Sequence, residues 1–163
     1  MIRQAVSSDI PVIEDILLDA VIYLRKAGLE NQWNEANIKC ECLSKEYRIE
    51  DFYIAYDDNK AEGCMALTDF DLKYWPEIEK GQSLYIHKLA VKREYAGRGC
   101  SHELISFAKD LALNNGADSL RLDCNYYRKK LREIYENEGF EYVSKKCIGE
   151  NNYMALYVCE LYI

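Results

Sequence analysis

Residues 84–114 place the tightest limit on what this chain can become. "LYIHKLAV" is rich in β-branched, aromatic and aliphatic residues, so Leu84–Val91 is expected to be a strand. From Cys100 to Asn114 the apolar positions Leu104, Phe107, Ala108, Leu111 and Ala112 share one helix face, and Gly116 is a stop. Gly97 and Gly99 lie between the two, one residue apart in "AGRG". A strand feeding an amphipathic helix must lay that helix on a sheet, which excludes an all-helical bundle. The turn is also an anion site in outline. The first N–H groups of a helix lack internal partners, the dipole adds ~0.5 positive charge there, and glycine lets a bulky anion approach the backbone.

The remaining segments supply the sheet and its cover. Ile2–Val6 reads as a short strand. Ser8 as N-cap and Pro11 in the first turn open a helix through Ile10, Ile13, Leu17, Val21 and Leu24, stopped by Gly28. "LENQWNEANIKCECLSKEYRI" reads as a loop with a second, shorter helix. Phe52–Tyr56 and Gly63–Thr68 flank the turn Asp57-Asp58-Asn59 and form a hairpin. "DLKYWPEIEKGQ" is a loop anchored by Tyr74 and Trp75 before Pro76. Leu120, Leu122 and Cys124 alternate with Arg121 and Asp123 as a strand, and Leu131, Ile134 and Tyr135 mark a helix ending at Gly139. Phe140–Val143 and Tyr153–Leu161 are the last strands. The expected order is β-α-α-β-β-β-α-β-α-β-β. The fold class is α/β, with a mixed sheet and helices on both faces, and residues 1–163 form a single domain with no repeat or linker.

Charge and cysteine usage narrow the function. The net charge of −7, from 21 basic and 28 acidic residues, disfavours a nucleic-acid partner and suits a cationic one. Seven cysteines, an odd count without any CxxC pair and with Cys40 and Cys42 one residue apart, read as reduced thiols in a cytoplasmic protein with no metal. Charges interrupt every apolar run, so neither a signal peptide nor a membrane span is expected.

"LAVKREYAGRGCSHELI" resembles the acetyl-CoA signature of the GNAT superfamily of N-acetyltransferases. Its six-residue core falls on Ala96-Gly97-Arg98-Gly99-Cys100-Ser101, with the central glycine at Gly99. Ala96 stands where the family has Arg or Gln, Ser101 where it has Gly or Ala, and Arg128 where it has an Asn that holds the pantetheine arm. "LRLDCNYYRKKLREIYENEGF" resembles the family's later strand-helix unit, and "GLENQW" a segment of bacterial members. The resemblance implies a mostly antiparallel twisted sheet, splayed where acetyl-CoA binds. The backbone of Leu89, Ala90 and Val91 would pair with the pantetheine amides. Gly97, Arg98, Gly99, Cys100 and Ser101 would surround the pyrophosphate; Arg98, Arg128, Lys129 and Lys130 are candidates for the outer phosphate, the last three equally for a solvated helix face.

The implied reaction moves an acetyl group from acetyl-CoA to a primary amine of a small molecule or peptide, by direct attack in a ternary complex. His87, an imidazole titrating near neutrality in the strand before the glycines, is the candidate base, or else a pocket-lining residue without a proton role. Tyr85 or Glu103 acting through water are its substitutes; His102 reads as a solvated or phosphate-adjacent residue. Tyr135 matches the tyrosine that protonates the leaving sulfur, or is a core tyrosine. Trp33, with Asn31, Gln32 and Glu35, falls in the acceptor-pocket region as a lid or as packing; Tyr85 lines that pocket, and Tyr74 and Trp75 close its other side. A catalytically silent CoA-binding sensor is the rival reading, supported by Ala96, Ser101 and Arg128. Family habit leaves room for a homodimer.

Overall fold

The computed structural model describes residues 1–29 and 33–162, so Asn31 and Gln32 lie outside the described residues. The elements run β1 (Ile2–Gln4), α1 (Ile10–Lys26), α2 (Cys40–Leu43), β2 (Phe52–Asp57), β3 (Lys60–Thr68), β4 (Ser83–Val91), α3 (Cys100–Asn114), β5 (Ser119–Asn125), α4 (Lys129–Asn137), β6 (Glu141–Gly149) and β7 (Asn152–Glu160). This is the expected order. The strands hydrogen-bond in the sequence β1-β2-β3-β4-β5-β7-β6. The β4–β5 pair is parallel, while β1–β2, β2–β3, β5–β7 and β6–β7 are antiparallel, so the sheet is mixed and mostly antiparallel. Two compact units emerge, Met1–Leu67 with Lys88–Leu104, and Thr68–His87 with Ile105–Ile163.

In the first unit, α1 buries Ile13, Ile16, Leu17, Val21 and Leu24, the stripe set by its helical spacing. These pack with Ile38, Leu43, Phe52, Ile54, Cys64, Ala66 and Ala90; each fully buried aliphatic side chain contributes about 1.5–3 kcal/mol. The expected cap is displaced by one position. Ser8 sits in a 3-10 turn (Ser7–Asp9), and Asp9 is the N-cap residue of α1. The Asp9 carboxylate accepts the Val6 N–H at 2.8 Å and both Arg3 guanidinium nitrogens at 2.8 and 2.9 Å. A carboxylate anchors three donors here where a hydroxyl would anchor fewer. The second helix is a single turn, α2.

Within the hairpin, the β2–β3 register slips between Ala55 and Tyr56, opposite Gly63 and Ala61. Gly63 is needed for space. A Cβ there would come within 2.7 Å of the Ala90 carbonyl oxygen and 3.1 Å of the Cys100 Sγ.

In the second unit, β5 and β7 divide their side chains cleanly. Leu122 faces Tyr157 and Cys124 faces Ala155 on one side; Arg121, Asp123 and Asn125 pair with Val158, Leu156 and Met154 on the other. The first side lies under α4, where Tyr135 rings meet Phe140 and Tyr157 at centroid distances of 6.0 and 6.5 Å. The second side lies under the loop after β3, where Tyr74 and Trp75 pack on Tyr85, Met154 and Leu156. Arg132 of α4 donates through Nε to the Tyr157 hydroxyl, which donates to Glu136, both at 2.8 Å. That relay pins α4 to β7. β6 is exposed along nearly its whole length, so it lacks the alternation that would have announced residues beyond Val143.

Candidate active site

The glycine turn is built as its composition requires. Gly97 and Gly99 have φ of +76° and +87°, a region that favours glycine, while a Cβ at either would meet no atom of the chain. Dihedral angle is therefore what demands glycine at both positions. Gly97, Arg98 and Gly99 are exposed, Cys100 is buried beneath them, and Ser101 is half-buried. The carbonyl of Gly99 accepts the Glu103 N–H at 3.0 Å, the first bond of α3. The N–H groups at the head of α3 belong to the opening turn, which a helix leaves without internal partners. The Arg98 guanidinium lies 5.7 Å from the Tyr95 ring centre. Burial pushes the Cys100 thiol up to about 12, so it is a neutral packing group here. His102 and Glu103 are exposed on the first turn of α3.

β4 changes character at His87. Among the described residues its register with β5 runs from Ser83↔Ser119 to Ile86↔Leu122, and β4 itself continues to Val91. Lys88 then takes a φ of +52°, an uncommon conformation for a side-chain-bearing residue, which breaks the regular alternation at this point. Leu89, Ala90 and Val91 follow the break. Lys88 places its ammonium 5.2 Å from the centre of the Trp33 ring, and Trp33 is half-buried against the core of the first unit. Glu35 is exposed and paired with Arg25 at 2.5 Å, which holds its carboxyl down to about 2.

His87 is half-buried in the second unit, with Nε2 at 3.1 Å from the Thr68 hydroxyl. That hydroxyl donates its own hydrogen to the Phe70 carbonyl at 3.0 Å. Both contacts are made together when Thr68 accepts from His87, which fits the tautomer with its hydrogen on Nε2. Asp71 and Asp123 join the ring: ligating atoms of the three residues all lie within 4.8 Å of one another. Asp71 is buried, and its Oδ1 accepts the Lys73 and Tyr74 N–H groups at 3.0 Å each. Neither aspartate was singled out from the sequence. Asp123 was visible only as a polar position in the β5 alternation, and nothing local ties Asp71 to a histidine sixteen residues away.

Tyr135 comes from α4 on the opposite side of β5. It is buried, and burial pushes its phenol far above the usual range, with Cys124 and Asp123 adding to the effect and Arg128 opposing it. At neutral pH it is a hydroxyl donor. Asp123 thus sits beside His87 and within electrostatic reach of Tyr135. Arg128 caps α4, and Lys129 and Lys130 follow with no acidic residue in the first turn. Three cations at a helix N-terminus oppose the helix dipole, an arrangement that an anion relieves. Tyr85, expected in the acceptor pocket, is only 1% exposed, with its hydroxyl near Ser83; the Trp75 Nε1 is buried without a hydrogen-bond partner among the described residues. Trp75 and Tyr74 pack against Tyr85. Arg121 stacks 4.6 Å from the Trp75 ring centre and donates through Nε to Ser83 at 3.0 Å.

The model of the acetyltransferase (GNAT) family matches residues 18–140. An uncharacterized N-acetyltransferase of Bacillus subtilis (strain 168), YesJ, is 27% identical over 158 residues, covering 89% of this chain and 83% of that one. A GNAT-family acetyltransferase from Listeria monocytogenes 4b F2365 superposes with a TM-score of 0.76 at 25% identity, over 99% of this chain and 94% of that one. The N-acetylglutamate synthase of Neisseria gonorrhoeae, solved with coenzyme A and N-acetyl-glutamate, shares the fold with a TM-score of 0.71 at 23% identity, over 100% of this chain and 35% of that one. The chain belongs to the GNAT family and is an acetyl-CoA-dependent N-acetyltransferase.

Proposed function

We propose that the protein acetylates a primary amine of a small molecule or peptide by direct attack in a ternary complex, with His87 as base and Tyr135 as acid. The observation that carries this reading is the place of His87: a half-buried imidazole where the regular β4–β5 pairing stops, bonded to Thr68 and with Asp71 and Asp123 within 4.8 Å. The acceptor ammonium gives one proton to His87. The freed lone pair forms the N–C bond, the C–S bond breaks as the Tyr135 hydroxyl supplies a proton to the departing sulfur, and the second proton that the nitrogen sheds on becoming an amide returns through water to the Tyr135 phenolate. A phenol kept neutral by burial suits that last role.

Acetyl-CoA would be held by separate elements. In the first unit the Gly97–Ser101 turn and the head of α3 take up the diphosphate, and the backbone of Leu89, Ala90 and Val91 offers its groups to the pantetheine amides. In the second, Arg128 with Lys129 and Lys130 offers charge to an outer phosphate.

The test is release of free thiol from acetyl-CoA across a panel of amines. His87→Gln is expected to lower kcat by about 10²–10⁴-fold at unchanged KM for acetyl-CoA, the usual share of a general base. Tyr135→Phe should lower kcat without weakening coenzyme A binding. Tight coenzyme A binding with no thiol release for any amine would instead identify a silent sensor.

A further inference from the structure

The geometry points to Arg132 as the residue that positions Tyr135 for proton delivery to the departing sulfur, acting through Tyr157. The inference rests on the acetyl-transfer reading with Tyr135 as acid and names what sets that phenol in place. α4 has little of its own to hold it. Its nine residues are too few for a helix to persist alone in water. Among the described residues its N-cap, Arg128, makes no side-chain capping bond, and Tyr135 is the one buried residue along its length. Lys129 and Lys130 bring cations to the end where the dipole favours anions. One buried ring sets how deep a helix lies; a second attachment is needed to set its rotation.

Arg132 supplies that attachment. It lies one turn before Tyr135, and its guanidinium bonds in two directions. Nε donates to the Tyr157 hydroxyl at 2.8 Å, and Nη1 donates to the Tyr126 carbonyl, in the turn that leads into α4, at 3.2 Å. The same group stands 4.5, 5.0 and 5.8 Å from the ring centres of Tyr126, Tyr142 and Tyr157. Tyr157 is fully buried on β7, its ring centre 6.5 Å from that of Tyr135, and its hydroxyl donates on to Glu136 at 2.8 Å. Positions 132 and 136 of the helix therefore grip the oxygen of the ring on which Tyr135 packs. Burial pushes the Tyr157 phenol up to about 12, with Arg132 opposing, so it stays a hydroxyl that accepts from one and donates to the other. A lysine has one nitrogen and cannot span both oxygens as this planar fork does.

The experiment follows thiol release from acetyl-CoA by the full chain, with n-butylamine, cadaverine and 4-aminobutyrate as acceptors. Arg132→Met, Arg132→Lys and Tyr157→Phe are compared alone and in combination with Tyr135→Phe. Arg132→Met and Tyr157→Phe are each expected to lower kcat about 10-fold while the KM for acetyl-CoA stays within twofold, which also reports that the variant is folded. Arg132→Lys should lose less, since it keeps one of the two bonds. Arg132→Met and Tyr157→Phe together should be no slower than either alone, because they break one relay. In a chain that already carries Tyr135→Phe, neither should lower kcat further, since no phenol is left to position. A loss by the same factor with and without Tyr135 overturns the inference, because the relay then acts on the fold at large. So does an unchanged kcat in both single variants while Tyr135→Phe lowers it, and the acetyl-transfer reading then stands. Should Arg132→Met fail to fold, Tyr157→Phe, which keeps the ring and its packing, carries the same comparison. An unchanged kcat in Tyr135→Phe, or no thiol release by the wild type with any amine, overturns the reading and the inference together.

Discussion

At the scale of single residues, two short hydrogen-bond chains matter, one beside the proposed base and one at the start of α1. Thr68 is bonded to His87 and donates to the Phe70 carbonyl, so on the proposal that His87 is the base it would act on the reaction through the ring. Thr68→Val removes the acceptor and frees the ring to change tautomer. The expected result is a fall in kcat of about 10-fold, the scale of one hydrogen bond to a group that becomes charged, with coenzyme A affinity intact. Thr68→Ser should restore the rate, which a merely structural role for the side chain would not predict. Asp9 governs acid stability instead. Arg3 holds its carboxyl below the ordinary value of 3.8, with the Val6 N–H contributing and burial opposing. A carboxyl lower in the folded than in the unfolded state stabilises fully above the unfolded value and loses that contribution as pH falls through the folded one. Denaturation by urea should therefore show stability declining below about pH 4, and Asp9→Ala, which removes the bonds to Arg3 and the Val6 N–H, should cost about 1.5–3 kcal/mol at pH 7 and flatten that decline.

At the scale of elements, close approach matters most where β3 meets the Ala90 carbonyl. Gly63→Ala pushes a methyl against that oxygen at 2.7 Å, and backbone cannot yield as a flexible side chain can. A loss of about 1–3 kcal/mol is expected from such overpacking, measured by thermal unfolding, together with weaker coenzyme A binding because Ala90 and Cys100 are both displaced. The sequence announced this element as a strand starting at Gly63 and gave no reason for the glycine; only its neighbours supply one. Elements with strong periodicity were legible: α3 has the bounds its apolar face foretold, and the glycine turn before it has the left-handed dihedrals its composition implied. Elements without an apolar face were not. β6 runs six residues past Val143, and the helix after the acceptor segment shrank to one turn. The His87 environment escaped for a related reason. Thr68, Asp71 and Asp123 come from a strand end, a loop and a neighbouring strand, and only strand pairing with loop placement brings them together.

At the scale of the whole molecule, burial divides the seven cysteines. Cys64, Cys100, Cys124 and Cys159 are buried, Cys40 and Cys42 are half-buried, and Cys147 is exposed. Burial pushes the Cys100 and Cys124 thiols up to about 12, which suppresses the reactive thiolate. Under native conditions a disulfide reagent should titrate three thiols quickly and the other four only after denaturation. A full native titre would show that the buried set is not protected. Among the described residues no helix is long and apolar enough to cross a membrane. Each compact unit is assembled from two separated stretches of chain, the first closing only with residues 88–104 and the second only with residues 105–163. β7, which follows β6 in the chain, takes an interior place between β5 and β6. A nascent chain stalled before Asn152 would therefore hold β6 without its pairing strand, and neither residues 1–81 nor residues 82–163, expressed alone, would contain a complete unit.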